Sequence, residues 1–313
     1  MSKPTAVILD FESLKPATLN LSSLNNVEAE FEIYQQTRPE DVVSRIQHAP
    51  IILTNKVKLP AHILEQAPLC RYVGILATGT NNVDVSWCHK NGMTVKNVEN
   101  YGSAAVAQHT LMLLLNLATS FNRYNSDVRQ GKWSASSQFC LHHHPVSQLE
   151  GKQAVLVGSG AIGNKVADLF KALGMRVTFA AREGIRDDTR PELDSLLPTA
   201  DVISLHCPLT SSTQALVNSN RLNLMKPSAF LLNTARGELI DEGALLNALK
   251  QGKLAGAGLD VLSEEPPPAD HPLITANLPN LLITPHCAWV ADEARQRLFD
   301  LAMSHVADFL KAD

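Results

Sequence analysis

The sequence carries no surplus of positive charge. It has 27 Lys and Arg against 31 Asp and Glu, a formal net charge of −4 over 313 residues. That balance excludes a basic footprint for nucleic acid or for an acidic membrane surface. There is no C-x-x-C pair. Cys70, Cys88, Cys140, Cys207 and Cys287 are odd in number and scattered. Such spacing excludes a disulfide framework and points to reduced thiols in a cytoplasmic protein. Long apolar runs are also missing. Ala6-Val-Ile-Leu9 ends at Asp10 and is too short for an export signal. Leu111-Met-Leu-Leu-Leu115 lies between His109 and Asn116 and is too short to span a bilayer, so it reads as a buried helix. Internal repeats and low-complexity segments are absent.

What is present is an ordinary globular composition, 45% hydrophobic and 19% charged. The length suffices for two domains with their own cores. Short apolar runs alternate with helical stretches through the first hundred residues: Ala6-Val-Ile-Leu9, Phe31-Glu-Ile-Tyr34, Ile51-Ile-Leu53, Tyr72-Val-Gly-Ile-Leu76 and Thr94-Val95. This is the pattern of a parallel α/β sheet. One long helix is expected over 103–129. The alternation then restarts, with strands expected at 154–157, 177–180, 202–205, 229–233, 256–260 and 281–284. A last helix over 291–310 is expected to cross back to the first domain. The fold class expected is therefore α/β, with two doubly wound parallel-sheet domains. A Rossmann dinucleotide-binding domain (101–286) is inserted into a flavodoxin-like substrate domain (1–100 and 287–313).

The segment Val155-Leu-Val-Gly158-Ser-Gly160-Ala161-Ile162-Gly163 reads as a strand, a glycine loop and a helix start. In such a loop Gly158 makes the turn, Gly160 lets backbone approach a pyrophosphate, and Gly163 lets helix pack on strand. The helix N-terminus offers N–H groups to the phosphates. One element of the pattern is lacking. A site for NAD ends its second strand on an acid that accepts from the ribose hydroxyls. Here Ala181 stands in that place and Arg182 follows, with Arg186 and Arg190 nearby. Replacing a carboxylate by a guanidinium favours a 2′-phosphate, so NADP(H) is expected over NAD(H).

The second half adds a catalytic constellation. Asn233-Thr-Ala-Arg236-Gly237, Gly258-Leu-Asp260-Val-Leu-Ser-Glu264-Glu265-Pro266 and Thr284-Pro-His286 each lie just past a strand. Open parallel sheets bind ligands at that end. An Arg, a Glu and a His on one rim suit reduction of a keto acid. Arg fixes a carboxylate, His moves a proton, and Glu holds the His ring and stabilises its charge.

These residues carry a resemblance to the D-isomer-specific 2-hydroxyacid dehydrogenases that covers nearly the whole chain. The matching motifs include Thr78-Gly-Thr-Asn-Asn-Val-Asp84, Ser103-x-x-Val106-Ala-x-His109, Gly158 to Gly163, His206-Cys-Pro-Leu209, Asn233 to Gly237, Gly258 to Pro266 and Pro285-His286. Within the family, Gln138-Phe-Cys140 and the run from His286 through Trp289 to Arg295 look most like glycerate dehydrogenases, also called hydroxypyruvate reductases. The resemblance implies that Arg236 binds the substrate carboxylate, that His286 is the acid/base and that Glu265 is its partner. Thr78 and Gly79 would hold the carboxylate from the other domain. Asp260 would meet the nicotinamide carboxamide, and Cys207, Pro208, Thr234 and Ala235 would line the cofactor. It also implies small 2-oxo acids as substrates, hydroxypyruvate and glyoxylate first, and a homodimer burying the long helix. Phe139 and Trp289 are candidates for the pocket wall.

Other readings compete. His142, His143 and His144 suggest a metal tract by composition, but three consecutive residues in regular structure cannot all point at one ion, so no metal is expected. Cys207 and Cys287 have no His and acid of their own and are read as packing residues. A dinucleotide-sensing, corepressor-like binding protein would share the fold, and a formate dehydrogenase would lack the acid at Glu265. A 2-hydroxyacid dehydrogenase for a different 2-oxo acid is the remaining alternative.

Overall fold

The computed structural model describes residues 3–312, which divide into two compact units, 3–102 with 290–312, and 103–289. The first unit runs β1 (Thr5–Ile8), β2 (Glu30–Ile33), α1 (Val42–Ile46), β3 (Ile51–Thr54), α2 (Ala61–Leu64), β4 (Tyr72–Ile75), α3 (Val85–Lys90) and β5 (Thr94–Asn97). Its five strands are parallel in the order β2-β1-β3-β4-β5. That is the flavodoxin-like order. β3 and β4 are buried at every residue, as strands covered on both faces must be, while edge strand β2 alternates exposed and half-buried.

The second unit opens on α4 (Ser103–Thr119) and α5 (Phe121–Arg129), followed by β6 (Gln153–Val157), α6 (Ala161–Ala172), β7 (Arg176–Phe179), α7 (Leu193–Leu196), β8 (Val202–Leu205) and α8 (Ser219–Leu224). It continues through β9 (Phe230–Asn233), α9 (Glu242–Lys250), β10 (Gly256–Leu259), α10 (Pro272–Thr275) and β11 (Leu281–Ile283). The six strands are parallel, ordered β11-β10-β9-β8-β6-β7. The order reverses between β6 and β8, the place where such sheets bind ligands. One sheet face packs on α4 and α6 through Leu113, Leu114, Val166 and Phe170. The other packs on α9 through Leu245 and Leu249.

The single helix expected over 103–129 is two helices. Ser120 takes φ +51° between α4 and α5, and its hydroxyl donates to the carbonyl of Pro145. The two helix axes diverge by 64°. A left-handed residue breaks the backbone ladder, and apolar periodicity alone does not register it. Among the described residues no single helix is long and apolar enough to cross a membrane.

The last helix, α11 (Asp292–Ala312), belongs to the first unit. Phe299 lies 5.7 Å from Phe11 and Phe309 lies 4.9 Å from Tyr72, ring to ring. Buried Arg295 donates to the carbonyl of Leu14 at 2.6 Å. The division falls after residue 289, three residues later than the sequence suggests. The reason is Asp260, which accepts from the backbone N–H groups of Cys287 and Ala288 and keeps 287–289 with the second sheet.

Candidate active site

The glycine loop occupies the carboxyl end of β6. Gly158 takes φ +108°, and a Cβ there would stand 2.5 Å from the carbonyl oxygen of His206. Only glycine satisfies both conditions. A Cβ on Gly163 would stand 2.0 Å from the Gly158 oxygen. Gly160 faces open space, with nothing within 4 Å. It is also the N-cap of α6 and contributes no side-chain cap, so the N–H groups of Ala161 and Ile162 in the first turn are left to other acceptors. A free helix N-terminus beside an unobstructed glycine fits the diphosphate of a dinucleotide.

Past β7, Ala181 is buried and Arg182 projects outward. Asp188 gathers the neighbouring cations. Its carboxylate accepts from Arg190 Nε at 2.8 Å and from Arg182 Nε at 3.1 Å. Arg190 also donates through Nη1 to Ser159 Oγ of the glycine loop at 2.8 Å. Hydrogen bonds from Arg190 and Arg182 hold the Asp188 carboxyl well below the usual range. Two guanidiniums thus sit where the sequence lacks its acid. Arg182, Arg186 and Arg190 are all legible in the sequence as nearby cations; the reach of Arg190 to Ser159, 31 residues away, has no local signal.

The remaining candidates in this unit follow successive strands. Cys207 and Pro208 come after β8, and burial pushes the Cys207 thiol up to about 11, which suits packing rather than attack. Thr234, Ala235 and Arg236 come after β9. Thr234 Oγ1 lies 3.0 Å from Thr110 Oγ1 of α4. The amide of Asn233 donates to the Arg236 carbonyl at 2.7 Å and its oxygen accepts from the Ala235 N–H at 3.0 Å, so the loop is stapled to its own strand. Arg236 Nη1 donates to the Ala235 carbonyl. A Cβ on Gly237 would stand 1.9 Å from the carbonyl carbon of Leu262. The loop after β9 therefore abuts the loop after β10, which carries Glu265.

His286 and Glu265 meet directly. Nδ1 of His286 lies 2.6 Å from Oε2 of Glu265, and Oε1 accepts from the Leu262 N–H at 3.0 Å. Glu264, its neighbour in sequence, is exposed. The Glu265–Pro266 peptide bond is cis.

Beneath the pair lies a network that sequence reasoning did not resolve. His286 has φ +50°, a left-handed conformation unusual for a residue with a side chain. Its N–H donates to the Asp260 carbonyl at 2.8 Å. Asp260, 1% exposed, accepts from Cys287 N–H and Thr284 Oγ1 through Oδ1 and from Ala288 N–H through Oδ2. His109 of α4 reaches Thr284 Oγ1 at 2.8 Å and Asp260 Oδ1 at 3.3 Å. Burial opposes charge on Asp260, but the hydrogen bonds from His109, Thr284, Ala288 and Cys287 carry its pKa below the ordinary value. His109 appears in the sequence only as part of a motif; 175 residues separate it from Thr284.

In the first unit, Thr78 and Gly79 follow β4. Thr78 Oγ1 donates to the Val98 carbonyl at 3.0 Å and the Thr78 carbonyl accepts from Asn97 Nδ2 at 2.7 Å. Phe139, a candidate for the pocket wall, is 91% exposed.

The pattern of D-isomer specific 2-hydroxyacid dehydrogenase, NAD binding domain, fits residues 111–288. A hydroxypyruvate reductase of Blautia hydrogenotrophica is 39% identical over 315 residues, covering 97% of this chain and 96% of its own. A glycerate dehydrogenase of Methylorubrum extorquens is 40% identical over 305 residues, covering 97% and 95%. Among solved structures, the NADPH-dependent glyoxylate/hydroxypyruvate reductase of Sinorhizobium meliloti, in complex with NADP and malonate, superposes with a TM-score of 0.81 at 29% identity, covering 99% and 93%.

Proposed function

The chain belongs to the D-isomer specific 2-hydroxyacid dehydrogenase family, and from that premise we propose that it reduces hydroxypyruvate to D-glycerate, and glyoxylate to glycolate, with NADPH as the preferred reductant. The observation that carries the reading is the His286–Glu265 pair on the ligand-binding rim of a glycine-loop sheet. The names of the relatives, hydroxypyruvate reductase, glycerate dehydrogenase and glyoxylate reductase, support the substrate class.

Glu265 takes Nδ1 of His286, which leaves Nε2 for the substrate. In reduction, His286 gives the Nε2 proton to the carbonyl oxygen as charge grows there, and in oxidation it takes the proton back. Glu265 fixes the ring and offsets the imidazolium charge. Arg236 holds the carboxylate and polarises the adjacent carbonyl, the geometry a planar guanidinium serves best. Thr78 and Gly79 are assigned to the same carboxylate by the family pattern. A bound nicotinamide supplies the hydride. Gly158, Gly160, Ala161, Ile162 and Gly163 would hold its diphosphate, with Cys207, Pro208, Thr234, Ala235 and Asp260 along the same rim. Arg182, with Arg190 beside Ser159, would hold a 2′-phosphate; the guanidinium pair and the buried Ala181 support NADPH over NADH.

We also assign a homodimer formed through α4 and α5, which leave Met112, Leu115, Phe121 and Val128 exposed, and a cytoplasmic location, supported by five free thiols. Light scattering gives the oligomeric state. The activity test is oxidation of NADPH and of NADH against a panel of 2-oxo acids. Turnover of hydroxypyruvate and glyoxylate with NADPH is expected. No turnover of any 2-oxo acid with either reductant would favour a dinucleotide-sensing protein, and preference for a bulkier 2-oxo acid would move the substrate assignment.

A further inference from the structure

His143 and His144 point at one carboxylate, outside the loops that form the rim. Nε2 of His143 lies 2.7 Å from Asp127 Oδ2, and Nε2 of His144 lies 2.6 Å from the same oxygen. Asp127 belongs to α5 and is 4% exposed. Its other oxygen accepts from Lys132 Nζ at 2.5 Å. The objection that successive side chains diverge holds for a strand or a helix. The segment from 142 to 145 is neither, and the two rings lie 4.2 Å apart.

The arrangement is held by backbone. Tyr124 Oη donates to the His144 carbonyl at 2.9 Å and accepts from the His144 N–H at 3.1 Å. Ser120 Oγ donates to the Pro145 carbonyl, and the Ser147 N–H donates to the Ala118 carbonyl. The Tyr124 ring meets both imidazoles edge-on, at 5.8 and 4.8 Å. The Lys132 ammonium pairs with Asp127, so the cluster is built round a carboxylate.

We propose that Asp127, His143 and His144 form a binding site for a divalent transition-metal ion, with zinc the best match. The three donor atoms lie within 4.8 Å of one another. Two imidazole nitrogens and one carboxylate oxygen suit zinc in a tetrahedral site, with water in the fourth position. Tetrahedral ligand atoms at zinc distances stand roughly 3.3 Å apart, so each ring withdraws by about 0.6 Å as the ion enters. Each imidazole binds through Nε2 and carries its one proton on Nδ1. His143 is half exposed and gives the ion access from solvent. Lys132 remains on Oδ1 as the outer partner of the carboxylate. Two features weaken the site: the Lys132 charge, and the buried Nδ1 of His144, which has no partner among the described residues. The ion would tie α5 to the segment leading into β6, a structural role separate from the rim.

The test is calorimetric titration of the chelator-treated full chain with zinc chloride, with circular dichroism to verify that each variant folds. One ion per chain is expected. H143Q and H144Q should each weaken binding at least about tenfold, since even an outer partner is worth that much. H142Q should bind as the unaltered chain does, and K132M should bind more tightly. No stoichiometric uptake by the unaltered chain overturns the proposal. So does uptake that persists in the H143Q/H144Q double variant, which would place the ion elsewhere, for example at His109, Asp260 and Cys287. Equal weakening in H142Q would reduce the effect to loose chelation by a histidine tract and would overturn it as well.

Discussion

Glu265 grips His286 through one carboxylate oxygen and its own loop through the other, so the acid that orients the imidazole is itself fixed by the Leu262 backbone. Two hydrogen bonds in series orient the ring. Catalytic loss should therefore separate by position. His286→Gln should lower kcat by about two to four orders of magnitude, the usual worth of a positioned acid or base. Glu265→Gln keeps an acceptor for the ring but removes the charge. It should lower kcat by less than His286→Gln while KM for the 2-oxo acid stays within about threefold. Steady-state kinetics with hydroxypyruvate give both numbers, and normal turnover in His286→Gln would remove this residue from the chemistry.

Gly237 is the point of contact between the Arg236 loop and the Glu265 loop. A methyl group there would stand 1.9 Å from backbone, which cannot yield as a flexible side chain can. Gly237→Ala should destabilise the fold by about 1–3 kcal/mol or more through overpacking. It should also raise KM and lower kcat together, because it displaces the Arg236 and Glu265 loops, to which the proposed function assigns substrate binding and the holding of His286, at once. Chemical denaturation and kinetics on the same preparation measure the two effects. A variant with unchanged stability would mean the loops separate freely.

Cofactor choice should depend on Arg182 and Arg190 unequally. On the proposed NADPH assignment Arg182 pairs with the 2′-phosphate, so Arg182→Ala should lower kcat/KM for NADPH by about ten- to a hundredfold, with little change for NADH. Arg190 also braces Ser159 in the glycine loop, so Arg190→Ala should cost activity with both cofactors. Equal losses with NADPH and NADH in Arg182→Ala would dismiss the phosphate role.

Stability should fall on the acid side because of His206. Its Nε2 lies 2.8 Å from Ser204 Oγ, its Nδ1 is buried without a partner among the described residues, and burial pushes its pKa down to about 3. The unfolded chain takes up this proton near pH 6.5 and the folded chain does not. Stability from this group is therefore complete above pH 6.5 and is lost progressively as pH falls toward 3. The slope is at most about 1.4 kcal/mol per pH unit. Urea unfolding between pH 7 and 5 should show a shallower pH slope for His206→Asn than for the unaltered chain, whatever the absolute stability of the variant. Parallel slopes would assign the acid sensitivity to other groups.

Much of this architecture is legible in the sequence because parallel strands buried on both faces are written as short aliphatic runs. Ile51-Ile-Leu-Thr54 and Phe230-Leu-Leu-Asn233 are found where their composition puts them. The glycine spacing likewise marks a loop whose steric demands exclude a side chain at Gly158 and Gly163. What periodicity misses is set by single residues acting at a distance. Ser120 breaks a helix by its own φ and a bond to Pro145. Asp188 collects two arginines, Asp260 anchors the chain on both sides of His286, and Asp127 is met by histidines 16 and 17 residues away. Apart from Asp188 and Arg190, two residues apart, none of these partnerships has a spacing that a helix or a strand would impose.

The pairing of Phe11 with Phe299 and of Tyr72 with Phe309 bears on how the chain is made. The second unit is continuous in sequence, and a ribosome releases it whole. The first unit begins to emerge earlier but lacks α11, the 21 residues Asp292–Ala312, until the whole second unit has been made. Through most of translation Phe11 and Tyr72 have no aromatic partner to cover them. A chain stopped at residue 289 would keep the glycine loop, Arg236, Glu265 and His286 intact. It would lose the cover of its opening strands, so termination after the second unit damages the part of the molecule that was synthesised first.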